Sequence, residues 1–160
     1  MKAMIIVFSP SGNTARAATA LAASLDRWGI ESATLAITGD SRYFDAKDHR
    51  AFLREMVPNH DLLFIGAPVY AHHLQYHMKE LIAALPTPKD GWGNIALPFV
   101  TYGGISSGIA LEEACKLLEK SGRTVIAGAK IASPHRMTRA FMPEEFNANL
   151  PESSMIHAIE

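Results

Sequence analysis

Short apolar runs alternate five times with helix-periodic stretches along this chain, and that alternation leaves few folds open. Met4-Ile5-Ile6-Val7-Phe8 is short and branched enough for a strand buried on both faces. Ala18, Leu21, Ala22, Leu25 and Trp28 then recur at helical spacing, and Gly29 stops the helix. Residues 30–38 interleave polar and apolar side chains, as an edge strand would. A polar loop at 39–45 leads to a short helix over 45–57, ended by Pro58-Asn59. Leu62-Leu63-Phe64-Ile65-Gly66 is a second fully apolar strand, and residues 74–85 form a helix. The next strand, 94–100, contains Pro98, which predicts a bulge or an irregular ladder. Ser106 or Ser107 caps a helix running through Lys120, Gly122 closes it, and 124–131 is the fifth strand. The expected fold is α/β, a doubly wound five-stranded parallel sheet in the order 2-1-3-4-5.

Three loops then share the carboxyl edge of the sheet, where such folds bind ligands. The first, Ser9-Pro10-Ser11-Gly12-Asn13-Thr14, joins a strand to a helix N-terminus, a place that favours phosphate through free N–H groups and the helix dipole. Ser9, Ser11, Asn13 and Thr14 add side-chain donors, and Gly12 lets the backbone approach closely. No Lys or Arg lies between Lys2 and Arg16, so the donors are neutral. The lysine of a nucleotide-hydrolysing loop, the dinucleotide fingerprint and a nucleophilic cysteine are all missing from this stretch. What remains is a site that holds a phosphomonoester without cleaving it, or simply a capped helix.

The S-x-S-G-N-T turn resembles the phosphate loop of flavodoxins, which grips the phosphate of FMN. Two further loops agree with that resemblance. Pro68, Val69, Tyr70 and Ala71 fall in a G-x-P-x-Y stretch which in several flavodoxin-like families borders the isoalloxazine ring. Thr101, Tyr102, Gly103 and Gly104 fall where the family lines the second face and the pyrimidine edge of the flavin. The resemblance implies that Tyr70 and Tyr102 pack on the ring and that Gly103 and Gly104 turn backbone N–H groups toward its edge. Without a flavin, both tyrosines read as loop or core aromatics. FMN is implied rather than FAD, bound without a covalent link, and no residue is assigned a catalytic role.

At 160 residues, with 48% hydrophobic and 19% charged residues, the chain is one globular domain. A single cysteine, Cys115, precludes an internal disulfide and suits a reducing cytoplasm; it reads as a small buried residue. No apolar run reaches membrane-spanning length, and a net charge of −1 gives no nucleic-acid surface. His73 and His77 stand at zinc-compatible spacing beside His72, but no neighbouring ligand completes a set, so no metal is expected.

The tail is polar and irregular from 133 to 149. A final helix opens at about 151 and runs out at 160, which is short for covering a sheet. The chain is therefore expected to be the front part of a longer protein. The run Val100-Thr101-Tyr102-Gly103-Gly104-Ile105-Ser106-Ser107-Gly108 resembles flavodoxin domains that a ferredoxin domain with iron–sulfur clusters often follows. Free-standing flavodoxins are usually acidic, and this chain is not. The expected function is an electron-transfer flavoprotein serving a partner redox protein or a tethered iron–sulfur domain. An FMN-dependent NAD(P)H reductase of small acceptors is the alternative, with Arg136 or Arg139 meeting a phosphate, and a scaffold without cofactor is the third.

Overall fold

A computed structural model describes residues 1–88, 92–140 and 142–150. In chain order the elements are β1 (Lys2–Val7), α1 (Asn13–Arg27), β2 (Glu31–Ala36), α2 (Ser41–Phe44), α3 (His49–Met56), β3 (Leu62–Tyr70) and β4 (His73–Leu74). They continue with α4 (Tyr76–Ala84), β5 (Ile95–Tyr102), α5 (Ala110–Lys120), β6 (Thr124–Val125), β7 (Ala129–Ala132) and a 3-10 helix, Arg136–Ala140. The main sheet is parallel in the order β2-β1-β3-β5-β6, with β7 also beside β5. The doubly wound reading therefore holds, the fifth strand being the pair β6 and β7.

Alternation along β1 sends side chains to two cores. Ala3, Ile5 and Val7 pack with Ala17, Ala18 and Leu25 of α1 and with Phe64 and Phe99. Met4 and Ile6 pack on the other face with Leu53, Leu63, Ile65, Met78, Ile82, Val100 and Leu118. Only Leu35 of β2 is buried, as suits an edge strand.

Pro98 disturbs one side of its strand and spares the other. The β3–β5 ladder runs unbroken through the Ile65↔Pro98 pair. Toward the sheet edge, pairing stops after Ala96↔Val125 and resumes at Phe99↔Ala129, so three residues oppose two and the fifth strand splits. A residue without an N–H cannot hold that ladder.

The other boundaries shift for local reasons. The expected 45–57 helix and part of the loop before it become α2 and α3. Asp40 accepts from the Arg42 amide, and Asp48 from those of Arg50 and Ala51, so each aspartate starts its own helix. Residues 73–74 join β4 rather than α4. α5 starts at Ala110 without a side-chain cap, because Ser106 Oγ accepts from the Gly108 amide instead. Cys115 is half-buried, and burial pushes its thiol pKa up. The expected helix at 151–160 lies outside the described residues. No helix among those described is long and apolar enough to cross a membrane.

Candidate flavin site

β1 delivers its loop directly onto α1. The Ser9 amide donates to Thr38 Oγ1 at 2.6 Å, and the Gly12 amide donates back to Ser9 O at 3.1 Å, closing a turn. Gly12 takes φ +85°, with nothing near the position of a β-carbon, so conformation rather than crowding requires glycine there. Among the described residues, the N–H groups of Ser11, Asn13 and Thr14 have no intramolecular partner. They form an open anion cradle at the start of a 15-residue helix.

The side chains of this loop do something other than expected. Asn13 is buried, and its Nδ2 donates to Pro134 O at 2.9 Å. Thr14, also buried, shares a hydrogen bond with the Thr101 hydroxyl at 2.8 Å. Ser9 Oγ accepts from the Ala15 amide at 2.8 Å. Asn13 Nδ2 thus ties loop to tail and the Thr14 hydroxyl ties loop to β5, and the cradle rests on backbone N–H groups with Ser11 exposed beside them. Asn13 Oδ1 is left buried with no partner.

Two chambers open beside the cradle. The first, about 120 Å³, is lined by Ser11, Asn13, Pro68, Tyr70, Thr101, Ser133, Pro134 and Arg136 among others. The second, about 330 Å³, lies between Ala71-His72 and Ile105-Ser106. Both are bordered by Val69, Tyr102, Gly103 and His135, so they form one elongated site. Ser11, Asn13, Pro68, Val69, Tyr70, Ala71, Thr101, Tyr102 and Gly103 thus meet there, while Ser9, Gly12, Thr14 and Gly104 lie in the same loops without lining either chamber.

The wall between Tyr70 and Leu74 is a two-residue hairpin in which Ala71 and His72 take φ +48° and +70°. Left-handed backbone at two non-glycine residues costs about 1–2 kcal/mol each, so something must hold the turn. The Ile109 amide donates to His72 O at 2.9 Å, and Gly108 leaves room for His72. Glu113 of α5 accepts from the Leu74 amide at 2.8 Å and from Lys79 Nζ at 2.8 Å, with His73 Nδ1 3.0 Å away. His77 lies beside Glu80. His73 thus meets a carboxylate 40 residues away and His77 one at i+3 on its own helix, yet no three potential ligands gather among the described residues.

The tail, expected to be irregular, folds against the site. The Ser133 amide and hydroxyl both donate to Tyr102 O, and the His135 amide donates to Phe146 O. Thr138 Oγ1 donates to His135 O and accepts from the Phe146 amide. Asn147 Nδ2 donates to Gly103 O at 2.7 Å. A β-carbon on Gly103 would meet the His135 side chain, and one on Gly104, at φ +86°, would meet Asn147. The paired glycines make room for the tail. Ser133, Pro134, His135 and Arg136 are site residues that pattern reading missed, apart from Arg136's positive charge.

The chain matches the family described as NADPH-dependent FMN reductase over residues 1–137. It belongs to that family. Solved structures share its fold: a flavodoxin from the domain Archaea has 20% identity and a TM-score of 0.58, over 88% of this chain and 90% of that one. Oxidised Flavodoxin 1 from Bacillus cereus has 17% identity and a TM-score of 0.65, over 99% and 92%. The apo form of an NADH:FMN oxidoreductase has 22% identity and a TM-score of 0.59, over 81% and 76%. No curated protein matches the sequence.

Family and flavodoxin neighbours indicate FMN as the cofactor, and the residues fit it. The cradle of free amides suits a phosphate, and two joined chambers suit an elongated molecule with a flat end. The orphaned Asn13 Oδ1 wants a donor, which a ribityl hydroxyl supplies and a phosphate dianion does not. Replacing Gly103 with alanine should displace His135 and weaken FMN binding about tenfold or more, with Gly103→Ala/His135→Ala recovering most of the loss. Equal losses in single and double variants would show that the tail is not what Gly103 accommodates.

Proposed function

We propose that this domain binds one FMN across the two chambers and exchanges electrons with a protein partner. The observation that carries the reading is the exposed apolar side chains around the two chambers: Ile105 of the second is 75% exposed, Tyr70 of the first 47%, and Ile109, whose amide binds His72 O, 52%. Exposed apolar side chains around a buried site suit a docking protein. A near-neutral surface offers little long-range steering, which a tethered partner does not need. The resemblance of residues 100–108 supports a ferredoxin domain on the same polypeptide as that partner, with clustered cysteines downstream of residue 160. Bound FMN would supply the redox chemistry; the chain's residues bind it, orient it and limit its access to water.

Direct hydride transfer from NADPH to the flavin, followed by reduction of a small acceptor, is the second reading, and the family match favours it. Anaerobic mixing of the FMN-loaded protein with excess NADPH separates the two. The electron-transfer reading expects the oxidised flavin absorbance to persist for minutes and to bleach only when a reduced iron–sulfur protein is added. Prompt bleaching by NADPH alone would replace it with the reductase reading.

A further inference from the structure

The phosphate cradle contains no cation, yet the fold brings one to it from the far end of the chain. Among the described residues lining either chamber, Arg136 is the one arginine or lysine, and none is a carboxylate. It borders the same chamber as Ser11 and Asn13, and the bond from Asn13 Nδ2 to Pro134 O fixes this part of the tail against the loop. Glu145, only 6% exposed, lies between Arg136 and Arg139, with Oε1 3.3 Å from Arg136 Nε and Oε2 3.0 Å from Arg139 Nε. One carboxylate and two guanidinium groups leave a net charge of +1. Glu145 Oε1 accepts no hydrogen bond of good geometry, so it restrains Arg136 as an ion pair. Its two Nη groups have no partner among the described residues. A planar guanidinium with free Nη groups beside a cradle of free amides is a donor set for a phosphate dianion.

We infer that Arg136, held by Glu145, is the cation that binds a phosphate monoester at this site. Glu145 acts as a positioning residue. The inference rests on the flavin reading of the two chambers and goes further, because the loop by itself offers neutral donors. The shared chemistry is a terminal phosphate, borne by the cofactor or by a phosphorylated nucleotide substrate. Arg136 shares its chamber with the loop, which favours the cofactor.

The test titrates the apoprotein with FMN and with riboflavin, which differ only in the phosphate, and the FMN-loaded protein with NADP+ and with NAD+. Arg136→Gln should lower the preference for FMN over riboflavin about ten- to a hundredfold, as expected for losing a hydrogen bond to a charged group. Arg136→Lys, which keeps the charge and loses the fork, should fall between. Arg139→Gln should leave the preference unchanged, because Arg139 lines neither chamber. A changed preference for NADP+ over NAD+ with FMN unaffected would support the same cation and assign the phosphate to the substrate. If Arg136→Gln alters neither preference, or Arg139→Gln alters both as strongly, the inference is overturned while the FMN site stands. Failure of the parent protein to bind FMN would overturn the cofactor reading and this inference together.

Discussion

Glu113→Ala is expected to lower stability by about 2–4 kcal/mol and to loosen the hairpin beside the second chamber. The carboxylate receives the Leu74 amide, Lys79 and, at 3.0 Å, His73, so its removal leaves a buried N–H unpaired and frees a lysine. Desolvation works to raise the Glu113 pKa, but the hydrogen bonds from Lys79, the Leu74 amide and His73 outweigh it and bring it down to about 2 from 4.5. Lys79 and His73 are partly exposed, so solvent screens these contacts and the stabilisation is smaller than the full shift implies. A depressed folded value means the contribution is complete above 4.5 and disappears as pH falls toward 2. Urea unfolding midpoints should therefore drop over that window in the parent protein and less steeply in Glu113→Ala. Parallel pH curves for the two would show that Glu113 carries no such load. Once β4 is released, Ala71 and His72 can leave their left-handed conformations, so FMN affinity should fall with stability.

Gly66→Ala should cost about 1–3 kcal/mol, the range for overpacking a tight core. Gly66 sits opposite Phe99 in the β3–β5 ladder, and a β-carbon would land on ring atoms of Phe99, itself buried. The strand cannot shift without disturbing the pairs on either side of it. Phe99→Leu in the same chain should recover part of the loss by vacating the space. A single substitution that changes the chemical-denaturation midpoint no more than a surface change would contradict the packing described here.

The parts of the fold that declare themselves locally were legible. β1 and β3 are short apolar runs bounded by turn residues, and α1 carries an apolar stripe, so the order of the central strands followed. Pro98 announced a break because a missing N–H is a local fact. The two aspartate caps at Asp40 and Asp48 are equally local signals, and they start two helices where apolar periodicity alone suggests one. The loops of the site could be recognised, but the employment of their side chains could not. Asn13 binds Pro134 and Thr14 binds Thr101, partners 121 and 87 residues away. Gly103 and Gly104 read as a turn that aims backbone N–H groups at a ligand, and nothing local announces that a β-carbon on either would also meet His135 or Asn147. The tail carries no periodicity, because it is held by single hydrogen bonds and one buried carboxylate between two arginines, and such contacts leave no pattern in sequence.

The proposed site has the Ser11, Asn13 and Thr14 amides holding the phosphate of FMN, with the rest of the flavin extending into the two chambers. Titrating the purified apoprotein with FMN and with FAD, followed by flavin fluorescence, tests it most directly. The account predicts saturation at one FMN per chain with strong quenching as the ring enters a site bearing two tyrosines, and markedly weaker binding of FAD. Tighter binding of FAD than of FMN, or no saturable binding of either, would contradict it.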